Sequence, residues 1–269
     1  MRDFLDTAWE AAHLWYHKDA NHMAATVSYY SLFAIVPLLV LTVAFIGLLY
    51  GKDFAASALY GWGTVLGNDL VTLLRDAMVN LEGLSAGYGF SILATLIFSV
   101  MTIVFFNTFT SGIHRLWSLS PHGVEGWMHK TRNSLLFFIV LEVYLLSLVG
   151  LEAIVGLLIE NTGMSVFYVV ETLFFIVVTT VLFSLAYRIL PWETPATKSR
   201  LYGAFVASVL FAVAKSVVTW YVHTTPIPGL FGAAGLMLVF LIWIYITACI
   251  LYYGAAFAHV HGKRHQITT

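Results

Sequence analysis

The chain has 269 residues, of which 60% are apolar and only 10% charged, with thirteen basic residues against fourteen acidic ones. Soluble domains carry roughly 45–50% apolar and about 25% charged residues, so this composition excludes a water-soluble globular protein. A net charge of −1 with no basic patch gives nucleic acid no footprint, and one cysteine, Cys249, excludes a disulfide framework.

Residues 3–22 read as an amphipathic helix, with Leu5, Trp9, Ala12 and Tyr16 on one stripe and Asp6, Glu10, His13 and His17 on the polar side. The pattern predicts an interfacial segment over 1–26 lying along the membrane surface. His13 and His17 at i, i+4 with Glu10 one turn earlier resemble metal spacing, as do His259, His261 and His265 in the tail. Solvated polar faces are the commoner meaning of both, and neither a metal nor a cofactor is assigned. The first 25 residues lack the apolar core of a cleavable signal peptide.

Six apolar runs follow: Ser28–Tyr50, Phe90–Ile113, Leu135–Ile159, Val166–Leu190, Tyr202–Val222 and Ala233–Ala258. Crossing a bilayer takes about 20 residues, so the expected fold is all-α and polytopic, a six-helix transmembrane domain over 27–258 with a short tail, 259–269. Between the first two runs, residues 51–88 predict an outer connection with two short helices, Phe54–Trp62 and Asp69–Leu81. It is either a cap over the bundle or a plain interfacial hairpin.

The cations set the expected orientation. Arg2, Lys18, Arg115, Lys130, Arg132, Arg188, Lys198, Arg200, Lys263 and Arg264 fall on one side, Lys52 and Arg75 on the other, and Lys215 within a span. The positive-inside bias then puts both termini in the cytoplasm.

Charges at membrane depth are costly and usually face a bundle interior or a wet cavity, which singles out Glu142, Glu152, Glu171 and Lys215. Two alternatives stand for them: proton or cation handling, or structural pairing of Glu142 with Lys215 and headgroup contact for Glu171. In either case Lys215 is expected in the interior with a partner. Ser91, Thr95, Ser99 and Thr102 share one face of the second span, and Ser208, Lys215, Thr219 and His223 one face of the fifth. Such stripes glue helices together more often than they line a path. Pro37 predicts a kink in the first span, and Pro226, Pro228, Gly229, Gly232 and Gly235 predict an irregular entry to the last.

Several stretches carry a family signature. Residues 24–38, with Tyr29, Tyr30 and Pro37, form a first block. Tyr187-Arg188-Ile189-Leu190-Pro191, then Gly203-Ala204 and Lys215 through Tyr221, form a second. Gly232 through Gly254, with Trp243, Ile244 and Tyr245, forms a third, and Asn107 through Trp117 fits the connection after the second span. In this order they resemble the YihY/BrkB family of bacterial inner-membrane proteins. That resemblance implies a multi-pass inner-membrane location. The family has carried ribonuclease, serum-resistance and envelope lipid-transport labels. The ribonuclease label finds no support in these residues. The family usually has an acid soon after the glycine near the end of the last span, where this chain has Ala255, Ala256 and Phe257.

The expected function is therefore a transporter or lipid translocase with membrane lipids as partners. Its expected path is lined by Tyr29, Tyr30, Pro37, Ser91, Thr95, Ser99, Glu142, Glu152, Glu171, Lys215, Thr219, Pro228, Gly229 and Gly232, with Arg115, Arg188 and Arg200 at the inner rim. An assembly scaffold and an intramembrane enzyme acting on lipid-linked substrates are the alternatives; no catalytic residue and no nucleic-acid partner are expected.

Overall fold

The computed structural model describes residues 2–34, 51, 88–119, 123–159, 164–224 and 227–267; within these helices the side chains of 2, 88–99, 123–127, 149–159, 164–170, 219, 222–223, 227–236 and 265–267 fall outside the description. Every described element is helical: α1 (Arg2–His17), α2 (20–34), α3 (Tyr88–Leu116), α4 (Gly123–Ile159), α5 (Met164–Ile189), α6 (Thr197–Thr224) and α7 (Ile227–Ile267). The Pro37 kink and nearly all of the outer connection 51–88 lie outside the described residues.

Four helices contain segments long and apolar enough to cross a membrane: Met128–Leu148, Glu171–Ile189, Thr197–Val218 and Met237–Arg264. α3, 29 residues long, carries the Phe90–Ile113 run. At 1.5 Å per residue, α4 and α7 reach about 55 and 61 Å and so project well beyond a hydrocarbon core of ~30 Å. Ile139 and Val143, Val177 and Val181, and Val213 and Val217 each stand more than half exposed one turn apart. Water does not tolerate such stripes on three successive helices; lipid does.

Each of α3 to α7 packs on its neighbour in sequence, and α3 also meets α7, so the five helices close into a ring. Lys18, Arg115, Lys130, Arg132, Arg188, Lys198, Arg200, Lys263 and Arg264 gather at one end, the basic end. The closest joint lies near it, where α5, α6 and α7 meet. A β-carbon on Gly203 would stand 2.4 Å from the Gly254 carbonyl oxygen, and one on Gly254 would stand 2.6 Å from Ala207 Cβ. Small residues let these backbones touch. The Tyr187 hydroxyl donates to the Leu251 carbonyl at 2.7 Å across the same joint.

Two expectations change here. The amphipathic segment is not one helix over 3–22: it breaks at Lys18–Asp19, where Asp19 takes φ 55°, a left-handed value that aspartate tolerates, and α2 starts at residue 20. Helix α1 packs directly on the last helix. Trp15 Nε1 donates to the Cys249 carbonyl at 3.2 Å, Tyr253 donates to the Ala8 carbonyl at 3.1 Å, and the Phe4 and Phe257 rings stand 5.3 Å apart. These pairs step in opposite directions, so α1 runs antiparallel along α7. Leu5, Trp9 and Tyr16 remain on its outer face at 61%, 75% and 69% exposure.

The second change concerns the entry to the last span. Helix α7 begins at Ile227, so Pro228, Gly229, Gly232 and Gly235 are helical rather than an irregular turn. Proline fits the first turn of a helix, where its missing N–H would have had no intrahelical acceptor.

The end of α3 shows how sequence sets local geometry. Ser118 takes φ 57°, its N–H meets the Arg115 carbonyl and the Leu119 N–H meets the His114 carbonyl, at 3.2 and 2.9 Å. This paired closure turns the chain and seats Trp117 beneath the ring, where its Nε1 donates to the Ala255 carbonyl at 2.9 Å.

Candidate functional site

Several buried polar side chains form a belt near mid-depth. On α4, Glu142 is 4% exposed and Tyr144 9%. The Tyr144 hydroxyl meets Thr179 on α5 at 3.1 Å, and the next residue, Thr180, meets Ser208 on α6 at 2.6 Å. Thr179 stands ten residues from the end of α5 and Ser208 eleven from the start of α6, about 15 Å in each case, which is half a hydrocarbon core. Thr102 on α3 is buried, and so are Ser28 and Ser31 on α2, with Ser28 donating to the Leu241 carbonyl at 2.7 Å.

Between this belt and the basic end, aromatic rings of α3, α4 and α7 pack on one another. Phe109 stacks on Tyr252 at 5.4 Å and on Phe137 at 6.3 Å, and Phe106 meets Phe137 edge-on at 5.8 Å. Tyr252 donates to the Phe109 carbonyl at 3.2 Å. A β-carbon on Gly112 would fall 2.2 Å from the Tyr252 hydroxyl, so the glycine makes room for this ring. Below the rings lies a smaller polar knot in which Ser134 donates to Asn107 at 3.1 Å and meets Thr110 at 3.3 Å. A layer of packed rings from α3, α4 and α7 thus stands between the belt and the basic end.

The residues expected to line a path separate into groups. Glu142 enters the belt. Lys215 does not lie in the interior: its side chain is 49% exposed, 3.9 Å from Glu171 and over the Phe175 ring at 4.5 Å. Both partners sit eighteen residues, or about 27 Å, from the basic ends of their helices, and there a long stem can carry its ammonium to headgroup level. Ser208 and Lys215 share one face of α6, and both bond to α5, so this stripe joins two helices.

On α2, Tyr29 is 57% exposed and packs on Phe33 and Tyr30, while Ser28 and Ser31 are the enclosed residues. Ser91, Thr95, Ser99, Glu152, Thr219, Pro228, Gly229 and Gly232 lie on described helices, but their side chains fall outside the description, and Pro37 lies outside altogether. Of the rim arginines, Arg115 is exposed and 3.5 Å from Asp19, Arg188 is exposed, and Arg200 is buried. Tyr144, Thr179 and Thr180 had no mark in the sequence beyond falling within two residues of Glu142 or on the next span. Among the described residues no group of three or more His, Cys, Asp or Glu is placed to hold a metal ion.

A family profile described as Virulence factor BrkB covers residues 13–268. The chain belongs to the BrkB family. Its relatives include a UPF0761 membrane protein of Haemophilus influenzae (strain 86-028NP), 26% identical over 260 residues and covering 88% of each chain. A UPF0761 membrane protein of Coxiella burnetii (strain Dugway 5J108-111) is 27% identical over 279 residues, 96% of this chain and 95% of the relative. No solved structure matches. Being a BrkB member of this composition, with four membrane-length apolar helices, the chain is a membrane protein.

Parts of the second and third stretches that carried the BrkB resemblance converge in space. Tyr187, Gly203, Ala204, Leu251 and Gly254 all belong to the joint of α5, α6 and α7. Ala255, Ala256, Phe257 and Ala258 are fully buried there. Where an acid was expected from the resemblance, this chain has an apolar contact.

Proposed function

We propose that this BrkB protein is a transporter of the bacterial inner membrane, moving a lipid or small amphiphilic solute along a polar path inside the five-helix ring. The observation that carries this reading is Glu142, a carboxyl group 4% exposed at membrane depth. A buried carboxyl within the bilayer is expensive, and such groups are kept where ions, protons or polar headgroups pass. The hydroxyls of Tyr144, Thr179, Thr180 and Ser208 give neighbouring polar contacts, and the rings of Phe106, Phe109, Phe137 and Tyr252 supply a closed gate on one side. A path open to at most one side at a time is what alternating access requires.

In this reading both termini and the basic end face the cytoplasm, as the positive-inside bias directs. Arg115, Arg188 and Arg200 then ring the inner mouth, where anionic headgroups concentrate. The protein performs no covalent chemistry and takes membrane lipids, not nucleic acid, as partners. An assembly scaffold is the second reading, favoured by the backbone-to-backbone joint at Gly203 and Gly254.

Reconstitution tests this. Liposomes holding the purified protein should move a labelled phospholipid or small solute across the bilayer faster than empty ones, and Glu142→Gln, shown to be folded, should slow that movement. A rate equal to that of empty vesicles across a broad panel of lipids and solutes would remove the transport reading in favour of the scaffold.

A further inference from the structure

We infer that Arg200 and Arg188, at the corner where α5 gives way to α6, form a binding site for a phosphate group, carried on a membrane lipid or free in solution. Arg200 is only 8% exposed, and its Nε is sealed off with no hydrogen-bond partner among the described residues. Burial disfavours its charge first, and the like charge of Arg188, in the last turn of α5, disfavours it further. Glu193, in the loop between the two helices, is exposed, and among the described residues no ion pair joins it to either arginine. An enclosed guanidinium that feels a second one, with no carboxylate paired to either among the described residues, is an electrostatic deficit that an anion removes.

The backbone points the same way. Helix α6 follows directly on Ala196, whose carbonyl accepts from the Arg200 N–H at 3.0 Å and whose side chain offers no acceptor for the first-turn amides. The Ser199 hydroxyl is engaged by His261 Nδ1 at 2.9 Å, so it caps nothing. The positive end of the α6 dipole therefore adds to the two arginines, with Lys198 exposed in the same first turn. Forked, planar guanidinium groups match the oxygens of a phosphate better than a point charge does. At the basic end of a membrane protein, a phosphate at this corner lies at the level of lipid headgroups.

The site sharpens the transport reading by placing a headgroup contact at the proposed inner mouth, but it is tested by binding rather than passage, so the two fail separately. Full-length protein in a neutral detergent is titrated with sodium phosphate, with phosphatidylglycerol, and with a galactosyl diacylglycerol that carries no phosphate. Melting temperature and lipid retained in native mass spectra are read together. The melting temperature should rise with phosphatidylglycerol and not with the galactolipid; a rise with sodium phosphate as well would make the phosphate group sufficient without a lipid tail. Arg200→Gln and Arg188→Gln should each weaken the response about tenfold or more. Without ligand, Arg200→Gln should melt no lower than the parent, because it removes an unbalanced buried charge. Should Arg200→Gln fail to fold, the exposed Arg188→Gln decides alone. No rise with phosphatidylglycerol or phosphate, or an equal rise in the parent and the variants, would overturn the site.

Discussion

Adding one methyl group at Gly254 tests whether α6 and α7 are held together by backbone contact. The new β-carbon would lie 2.5 Å from the Tyr187 hydroxyl, 2.6 Å from Ala207 Cβ and 2.8 Å from the Gly203 carbonyl oxygen. Carbon atoms rest at about 3.5–4.0 Å, so the helices must part by roughly 1 Å. Overpacking of this kind costs about 1–3 kcal/mol, and stretching the Tyr187–Leu251 hydrogen bond adds about 1 kcal/mol. Replacing glycine by alanine within a helix returns about 1 kcal/mol. The net is a loss of about 1–3 kcal/mol, or roughly 3–10 °C in melting temperature at this size. Gly203→Ala should do the same, since its β-carbon would stand 2.4 Å from the Gly254 carbonyl oxygen. Gly262→Ala is the control on the same helix: its nearest neighbour would be Pro195 Cβ at 3.5 Å, an ordinary contact. Thermal unfolding in detergent, followed by tryptophan emission, reports on the joint because Trp117 lies buried against Ala255. Gly254→Ala melting together with Gly262→Ala would refute the close joint.

Tyr187→Phe removes a donor to a helix carbonyl and should cost about 0.5–1.5 kcal/mol in the same assay, while Tyr202→Phe on an exposed site should cost nothing measurable. For Lys215 and Glu171, a double-mutant cycle with Lys215→Met and Glu171→Gln should give a coupling of about 1 kcal/mol or less, because both side chains are partly exposed; several kcal/mol would place the pair in a dry interior after all. Arg264 donates from Nε to Glu10 at 3.0 Å and holds that carboxyl below its ordinary value of 4.5. A lowered carboxylate pKa stabilises the fold above the ordinary value and stops doing so as pH falls through the lowered one, so parent and Arg264→Gln melting curves should differ at about pH 7 and converge near pH 3. Tags at residues 1 and 269 should report cytoplasmic and a tag near Asn68 the outside; a cytoplasmic report from Asn68 would end the six-span topology.

Composition and run length were enough to establish a helical membrane protein. Hydrophobic runs near 20 residues with cations sorted between them leave few other folds, because each backbone amide in lipid must bond within its own segment. Family membership was also legible, since it rests on local motifs such as Tyr187-Arg188 and Gly203-Ala204. What those motifs do was not: that Tyr187, Gly203 and Gly254 meet at one joint depends on how α5, α6 and α7 cross, and one-dimensional spacing carries no crossing angle. The charged residues make the same point. Glu142, Glu171 and Lys215 look alike as ions inside apolar runs, yet Glu142 turns into the ring, whereas Lys215 and Glu171 meet along the α5–α6 seam near headgroup level. Which face of a membrane helix looks inward is decided by its neighbours, because lipid and protein interior are equally apolar and hydrophobicity cannot tell them apart. Ser28 and Ser31 turning in beside the outward Tyr29, and Arg200 buried near the exposed Arg188, were decided only when the helices packed.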